Sequence, residues 1–388
     1  MTLRLCYIAN PYSIHTHRWL RHFVARGHEV HLIPASPEKG MVVPGSIPPG
    51  VAYHDVMART NLRKVRYLVW GLLARRVIHQ IQPDLLHAHQ VAGPGWLAAA
   101  AGYHPLLVTA WGSDLLLGPR GSRAQNVLAR WVLRRADYVT CVSRGLARAA
   151  LALGADPART EAVPWGVDTG VFHPAPGTRY REEVRAHWRF GGMPVVLSLR
   201  PLRPVYNPLD VARAIPLVLG RVPTAHFVVR SYHPDQALLA SFQAYVEGQG
   251  AAPSVRYVGE LAGDEEIAGL YRAADVAVSV PSSDGTPQSV LEALACGLAP
   301  VLSDIPALRD WVEHEQEGLF VPPGDAAALA DAIVRILTEP DLRARLGQNA
   351  VNLIEARADS KECMRRYEEI YEELAAGSGR RGRPESPG

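Results

Sequence analysis

Two carboxylates, Asp284 and Glu292, lie eight positions apart and are the acids in this chain most suggestive of chemistry. Glu292 follows Val290 and Leu291 and precedes Leu294, so it interrupts an apolar pattern. Burying a carboxylate in such surroundings is costly unless something pairs with it. A half-exposed helix acid, or one paired with a basic neighbour, would also explain it. Because a second acid lies in the preceding loop, we favour a functional site.

The elements around these acids are a buried strand, a polar loop and a helix. The apolar run over 275–281 predicts a parallel strand. After the loop, Pro287 fits the first position of a helix and Gly297 fits its end. Open α/β sheets bind ligands at the carboxyl ends of their strands. We therefore expect the backbone N–H groups from Thr286 to Ser289 to face an anion.

This stretch resembles the signature of the family 4 glycosyltransferases of GT-B fold, in which two acids flank a Gly-containing loop and a helix ends in small residues. The resemblance implies that Glu292 binds the ribose hydroxyls of a nucleotide sugar. It implies that Asp284 is catalytic and lies near the donor sugar. At this position the family usually has Glu, whose side chain is longer. The resemblance also assigns donor binding to the residues between the acids: Gly285, Thr286, Pro287, Gln288 and Ser289.

The diphosphate of the donor is expected beside the strand predicted over 195–199. In the resembling family an Arg follows this strand and a Lys comes about five residues later. Arg200 matches the Arg, and we expect it to be catalytic, since a guanidinium can bind a phosphate group with two parallel hydrogen bonds. Tyr206 and Asn207 occupy the Lys region, so either Arg203 supplies the second charge or the phosphate site is weaker. The segment matching the family backbone that borders the base is Gly259, Glu260 and Leu261.

Polar and aromatic residues that follow strands in the first half form the expected acceptor or sugar side: Ser13, His15, His89, Trp111 and Asp114. The family usually has His where Trp111 stands. An indole cannot act as a base, so we expect packing or stacking on a sugar face. His87 and His89 share one face of a strand and could approach a metal with Asp114. No other ligand spacing supports a metal, so we expect none.

The function implied is retaining hexosyl transfer from a nucleotide-diphospho-sugar, which requires stabilising a diphosphate leaving group and an oxocarbenium-like sugar. No DxD pair occurs in the sequence, so we expect no metal-bridged diphosphate. We expect no cofactor, because the nucleotide sugar is a substrate. Two alternatives stay open: a GT-B-fold epimerase of sugar nucleotides, and a non-catalytic nucleotide- or carbohydrate-binding relative. Trp111 and the missing Lys make the second of these conceivable.

The length of 388 residues exceeds one ordinary core. Two series of strands alternating with helical patterns predict an α/β protein with two Rossmann-like doubly wound parallel-sheet domains facing a central cleft, the GT-B architecture. The first βαβ unit lacks GxGxxG, which argues against NAD or FAD. We expect an acceptor-side domain over 1–174, a nucleotide-sugar domain over 193–360, a helix over 361–374 crossing back to the first domain, and a disordered tail over 375–388.

The net charge of +3 is unevenly distributed, because residues 1–172 hold 19 Lys and Arg against 9 Asp and Glu. This favours an anionic acceptor, glycan or lipid-linked, or an anionic membrane surface. No recognised nucleic-acid module accompanies the charge. A helix predicted over 59–81 carries Arg59, Arg63 and Arg66, which fits a membrane surface or the solvated face of a core helix. With scattered cysteines, no signal peptide and no transmembrane run, we expect a cytoplasmic protein; peripheral contact with the inner face of the membrane stays open as an alternative.

Overall fold

The computed structural model describes residues 1–35, 47–56 and 66–379. By their contacts, the residues form two compact units: unit 1 comprises Met1–Trp165 together with the chain from Cys363 on, and unit 2 comprises Gly166–Glu362. The division falls before the boundary predicted over 174–193. The reason is packing, since Val167 and Phe172 are buried in a core of unit 2 and the Arg272 guanidinium donates to the carbonyl oxygens of Val171 and His173.

The described strands of unit 1 form one parallel sheet in the order β3-β2-β1-β4-β5-β6-β7. These strands are β1 (Arg4–Ala9), β2 (Glu29–Pro34), β3 (Val51–Tyr53), β4 (Leu85–His89), β5 (Leu106–Ala110), β6 (Tyr138–Cys141) and β7 (Thr160–Ala162). Strand β1 lies between β2 and β4, and Tyr7 stands opposite Leu32 on one side and His87 on the other. The strand order reverses between β1 and β4, which is where doubly wound sheets bind ligands.

The helices of unit 1 join these strands along the described chain. They are α1 (Ile14–Ala25), α2 (Arg66–Ile81), α3 (Pro94–Ala101), α4 (Ser113–Leu116), α5 (Gly118–Gly121), α6 (Arg123–Arg135) and α7 (Arg144–Ala152). Nearly continuous apolar strands such as β5, buried at every position, require helices on both faces of the sheet.

Helix α2 differs in detail from the helix predicted over 59–81. The structure describes it from Arg66, and Arg59 and Arg63 lie outside the described residues. Its buried face consists of Trp70, Ala74, Ile78 and Ile81. Leu72 is 62% exposed, and Arg76 is exposed as well. The apolar side chains of α2 are spread too widely around the axis for sequence to select the buried face.

The described strands of unit 2 form a second parallel sheet in the order β10-β9-β8-β11-β12-β13. They are β8 (Val195–Ser198), β9 (His226–Arg230), β10 (Val255–Val258), β11 (Val276–Ser279), β12 (Ala299–Ser303) and β13 (Leu319–Val321). Strand β8 ends one residue before its predicted end, and β11 is shorter than the run predicted over 275–281. The helices are α8 (Thr178–His187), α9 (Pro208–Leu219), α10 (Gln236–Gly248), α11 (Asp264–Ala273), α12 (Gln288–Ala295), α13 (Pro306–Arg309), α14 (Ala326–Thr338) and α15 (Pro340–Arg357).

The terminal helix α16 (Ser360–Gly379) is longer than the helix predicted over 361–374. Residues 375–379 are helical, so the predicted disordered tail begins too early, and 380–388 lie outside the described residues. The Tyr371 hydroxyl accepts a hydrogen bond from Trp19 Nε1 at 2.9 Å and lies 3.1 Å from the Tyr7 hydroxyl and 2.7 Å from His87 Nδ1. Helix α16 therefore contributes a buried polar centre to unit 1. Among the described residues, no helix is long and apolar enough to cross a membrane.

Candidate functional site

The loop and helix predicted around the two acids are present, with one difference at the helix start. Strand β11 ends at Ser279, and α12 begins at Gln288 with Pro287 as its N-cap rather than its first helical residue. The Gln288 N–H donates to the Thr286 carbonyl at 2.9 Å, and Pro287 has no N–H to offer. The prediction that all backbone donors from Thr286 to Ser289 face an anion is therefore wrong. Gly297, with φ 79°, ends the helix as predicted.

Arg200 and Asp284 form an ion pair at the carboxyl edge of this sheet. Arg200 Nη2 lies 3.0 Å from Asp284 Oδ2, and the side chains are 12% and 9% exposed. Arg200 Nη1 donates to Ser289 Oγ at 3.1 Å, and the guanidinium lies 4.1 Å from the Tyr206 ring centroid. Burial alone would lower the pKa of Arg200, but Asp284 and Tyr206 raise it above its ordinary value. Arg200 is therefore charged, and it joins the loop acid to the first turn of α12.

The Asp284 carboxylate is also bound by its own loop, since the Gly285 N–H donates to Oδ1 at 2.8 Å. The acid is thus turned toward Arg200 and the loop backbone. Sequence alone does not indicate this pairing, because it joins residues 84 positions apart on different elements.

Glu292 is buried on α12, as its apolar neighbours suggested, with 8% of its surface exposed. Gln288 Nε2, one turn earlier, lies 3.5 Å from Glu292 Oε1 and donates to the Gly166 carbonyl at 2.9 Å. The Gln288 side-chain oxygen is buried and has no hydrogen-bond partner among the described residues. A buried carboxylate beside an unused amide oxygen can accept hydrogen bonds from a pair of neighbouring hydroxyls.

Arg203 does not join this cluster. It is exposed, and its side chain has no hydrogen-bond or ion-pair partner within the described part of the chain. Gly259 and Glu260 follow β10 as exposed residues, and Leu261 is partly buried against the core. These three lie at the carboxyl end of an edge strand, two strands away from β8.

Sequence reasoning missed three residues at this edge: Tyr206, Arg230 and Tyr232. Arg230 is the last residue of β9 and is 7% exposed, with its guanidinium 5.0 Å from the Tyr232 ring centroid. Tyr232 lies near both arginines: burial raises its pKa, while Arg200 and Arg230 oppose that rise. The signal was available, because an Arg at the end of a predicted apolar strand is the pattern that singled out Arg200.

In unit 1, Asp114 ties together the loops that follow β4 and β5. Its carboxylate accepts hydrogen bonds from the backbone N–H groups of Val91 at 2.8 Å, Gly112 at 2.7 Å and Trp111 at 3.2 Å. Burial raises the pKa of Asp114, and these backbone donors offset part of that rise. With its oxygens bonded in this way, Asp114 holds the two loops together, and its place on the acceptor or sugar side stays a prediction.

An aromatic cluster occupies the same edge of unit 1, and it consists of His15, His89, Trp111 and Trp165. The His15 ring stacks on Trp165 with centroids 3.8 Å apart and lies edge-on to Trp111 at 6.0 Å. Trp111 lies 5.0 Å from Trp165 and 5.3 Å from His89. Trp165 was missed, since it follows a strand too short to be recognised from sequence.

The two imidazoles of this cluster are uncharged at neutral pH. Burial lowers the pKa of His15 to about 3 and that of His89 to about 3. His89 is 1% exposed, and neither of its ring nitrogens has a hydrogen-bond partner among the described residues. The indole N–H groups of Trp111 and Trp165 are likewise buried and unpartnered there. Ser13 caps the start of α1 without a side-chain cap bond.

His87 belongs to the interior of unit 1. Its Nδ1 bonds the Tyr371 hydroxyl, and its Nε2 lies 2.6 Å from Thr109 Oγ1. Both ring nitrogens are therefore occupied, so His87 cannot join His89 and Asp114 around a metal. Within the described ranges, no group of three or more His, Cys, Asp or Glu residues is arranged to hold a metal ion.

Comparison with known families matches both units. The model "Glycosyl transferase 4-like" matches residues 4–143, and the model "Glycosyl transferases group 1" matches residues 180–353. Among solved structures, the chain superimposes on Anabaena Alr3699/HepE in complex with UDP and glucose with a TM-score of 0.78 at 17% identity, covering 96% of this chain and 100% of that one. A glycosyltransferase from Rickettsia africae gives a TM-score of 0.79 at 16% identity, covering 96% and 98%. These likenesses show the fold.

Similar proteins of named activity are also glycosyltransferases. A "D-inositol 3-phosphate glycosyltransferase" of Salinispora arenicola is 32% identical over 288 residues, 69% of this chain and 64% of that protein's length. A "GDP-mannose-dependent alpha-(1-6)-phosphatidylinositol monomannoside mannosyltransferase" of Mycobacterium tuberculosis is 28% identical over 76% of this chain and 80% of its own. The two parallel-sheet units thus define a GT-B protein of the glycosyltransferase class. Within that class, the chain belongs to the family 4 glycosyltransferases.

Proposed function

We propose that this glycosyltransferase moves a sugar from a nucleotide-diphospho-sugar to its acceptor with retention of the anomeric configuration. The observation that carries the proposal is the Arg200–Asp284 ion pair, which is bonded to Ser289 at the start of α12, with buried Glu292 one turn further on. This arrangement provides a cation for a phosphate and a carboxylate for hydroxyl groups at the carboxyl edge of one sheet.

Each residue has a distinct part in the proposal. Glu292 accepts hydrogen bonds from the ribose hydroxyls, beside the side-chain amide of Gln288. Arg200 stabilises the negative charge that develops on the leaving diphosphate. Asp284 orients Arg200 through the ion pair and lies near the donor sugar. The leaving phosphate receives the acceptor proton, as the family resemblance implies. No step requires a bound metal ion, since the guanidinium supplies the positive charge.

The nucleotide and the acceptor are open to direct test. The solved Anabaena relative binds UDP, and the mycobacterial relative is GDP-mannose-dependent. We therefore propose a thermal-shift screen with UDP, GDP, ADP and dTDP. A diphosphate present at 100 times its dissociation constant should add about 2.7 kcal/mol of stability. The relatives' names suggest phosphorylated polyols and lipid-linked polyols as the first acceptors to try.

Product analysis with a labelled donor then tests the reaction. Transfer with retained configuration, undiminished in EDTA, is the expected result. Epimerisation of the donor without transfer would indicate a sugar-nucleotide epimerase. Binding of a diphosphate with neither reaction would indicate a non-catalytic relative. Loss of turnover in EDTA that magnesium or manganese restores would contradict the metal-independent part of the proposal.

We also propose that unit 1 docks peripherally on an anionic membrane surface. Helices α2 and α6 both pack against α3, and each exposes a large apolar residue, Leu72 at 62% and Val127 at 66%. Exposed Arg75 and Arg76 flank Leu72. Apolar and basic residues together favour anionic lipid. Sedimentation with phosphatidylserine vesicles should exceed that with phosphatidylcholine vesicles and fall in high salt; equal sedimentation with both would contradict the proposal.

A further inference from the structure

Arg230 lies on the same face and edge of the unit 2 sheet as the proposed donor site. In β9, Val229 stands opposite Ser198 of β8, so Arg230 is one step further toward the edge from which Arg200 emerges. Side chains alternate along a strand, so Arg230 shares its face with Val228. Val228 packs in the core that contains Leu291 of α12. Arg230 therefore lies on the face of the sheet that α12 covers.

Arg230 is a buried residue, and the Nη1 atom of its guanidinium is buried without an acceptor. The residue is 7% exposed, and its Nη1 has no hydrogen-bond partner among the described residues. No ion pair of Arg230 exists in the described part of the chain either, and its guanidinium lies 5.0 Å from the centroid of the Tyr232 ring. A buried cation that lacks hydrogen bonds is costly. A protein keeps such a group where a ligand completes it.

Two other buried arginines of unit 2 show the usual arrangement. Arg185 donates to the carbonyl oxygens of Gly191, Met193 and Ala273 and to Asp275. Arg272 donates to the carbonyl oxygens of Val171 and His173 and to the Tyr180 hydroxyl. Both are structural, because the protein itself satisfies their donors. Arg230 has the burial of these residues without their partners.

The proposed donor site also lacks a positive charge. The Arg200 cation is already paired with the Asp284 carboxylate, so the two together are nearly neutral toward an incoming ligand. A diphosphate carries more than one negative charge. The residue in the region where the resembling family has a second cation is Tyr206, whose ring covers Arg200 at 4.1 Å. Arg203 is exposed and joins nothing.

We propose that Arg230 is the second cation of the donor site and binds the diphosphate of the nucleotide sugar, in place of Arg203. This inference rests on the proposed function, because it presumes a nucleotide-diphospho-sugar at this edge. Arg203 is exposed, whereas Arg230 is buried. On binding a diphosphate, Arg230 therefore loses less bound water and less side-chain freedom than Arg203 would.

The test compares Arg230→Gln with the matched surface variant Arg203→Gln. Each is titrated by calorimetry with UDP and GDP and with uridine and guanosine, which lack the phosphates. We expect Arg230→Gln to weaken binding of the recognised diphosphate about 10- to 100-fold and to leave the nucleoside unchanged. Arg203→Gln should change neither by more than about twofold, as for a surface charge. Arg230→Lys should recover part of the loss, since it restores the charge without the planar fork.

Thermal unfolding without ligand separates binding from structure. Because Arg230 has no acceptor in the described protein, Arg230→Gln should unfold at or above the wild-type temperature. A marked drop would mean that the guanidinium is structural, and it would overturn this inference. So would equal weakening of the diphosphate and the nucleoside, or a large loss in Arg203→Gln alone. If the wild-type protein binds no nucleoside diphosphate, the proposed function falls and this inference falls with it.

Discussion

The carboxyl edges of the two sheets are built on the same architecture and carry opposite chemistry. In unit 2 the edge presents four residues with ionisable side chains, Arg200, Arg230, Asp284 and Glu292, of which Arg230 and Glu292 are buried and the other two are largely shielded from solvent. In unit 1 the corresponding edge presents stacked rings whose imidazoles burial keeps neutral. Paired strands and crossover helices specify the fold, and the residues that follow each strand specify the ligand. One edge suits a phosphate, whereas the other suits an uncharged sugar or polyol face.

The largest expected effect comes from removing the central charge of unit 2. Arg200→Gln should lower kcat/KM about 100- to 1,000-fold, because the leaving diphosphate loses its stabilising cation. It should also destabilise the protein, since Asp284 is left buried and unpaired. Steady-state kinetics and thermal unfolding measure both effects, with Arg203→Gln as the surface control.

The double variant Arg200→Gln/Asp284→Asn separates these two consequences. Removing both charges should restore most of the lost stability without restoring turnover. Recovery of activity together with stability would show that the pair is structural only, and it would remove the chemical contrast between the two edges.

Substitution of either acid, Glu292 or Asp284, is expected to have a smaller effect than loss of Arg200. The two substitutions should differ in whether they change diphosphate binding or turnover. Glu292→Gln should weaken binding of the free nucleoside diphosphate by about 1–3 kcal/mol and raise KM. Asp284→Asn should lower turnover of the full donor, while free diphosphate binding stays equal or becomes tighter because Arg200 is released. Calorimetric titration of both single variants decides this. Wild-type affinity in Glu292→Gln would mean that the nucleotide does not lie over α12.

The neutral edge of unit 1 should show itself in the pH dependence of stability. A His whose folded pKa is about 3 binds no proton between pH 3 and its unfolded pKa near 6.5, whereas the unfolded chain does. Stability therefore falls as pH drops below about 6.5, by about 1.4 kcal/mol per pH unit for this one group. His89→Phe should flatten that slope in urea titrations from pH 7 to 5. An unaltered slope in His89→Phe would contradict the assignment.

The smallest effect expected is on the acceptor. Trp111→Ala should raise the acceptor KM roughly tenfold, equivalent to about 1.4 kcal/mol of lost stacking. Affinity for the free diphosphate should stay at the wild-type value. Trp131→Ala on α6 is the matched control, since Trp131 packs under Arg135 at 5.3 Å and not in the aromatic cluster. A change in diphosphate affinity without a change in acceptor KM would reverse the roles given to the two edges.

Much of this was accessible from sequence, for physical reasons. Buried parallel strands are short, apolar and bounded by polar residues, so the bounds of β8 were predicted within one residue and those of β11 within two. A carboxylate inside an apolar helix is rare enough to single out Glu292. The GT-B fold and family membership followed from the same stretch and are confirmed by the comparisons.

What sequence could not supply were the pairings between distant elements. In the structure Asp284 is the ion-pair partner of Arg200. The Asp114 carboxylate accepts hydrogen bonds from backbone N–H groups of two loops and holds these loops together. Arg203 is exposed and Arg230 is buried, although both follow or end a strand. Their positions in the sequence do not show which of the two is buried. Trp165 joins the aromatic cluster only because the chain returns to the edge of β1 and β5 after β7.

The hydrogen bonds of Tyr371 have a consequence for how the protein is made. The hydroxyl that bonds Trp19 and His87 leaves the ribosome more than 200 residues after Trp165, where the first segment of unit 1 ends. At ordinary rates of translation this is a delay of roughly 10–40 s. Unit 2 is synthesised during that time, and its last residue, Glu362, is made before Tyr371, while unit 1 still has buried polar groups without their partner. Although its sheet is synthesised first, unit 1 is therefore expected to reach its final structure last.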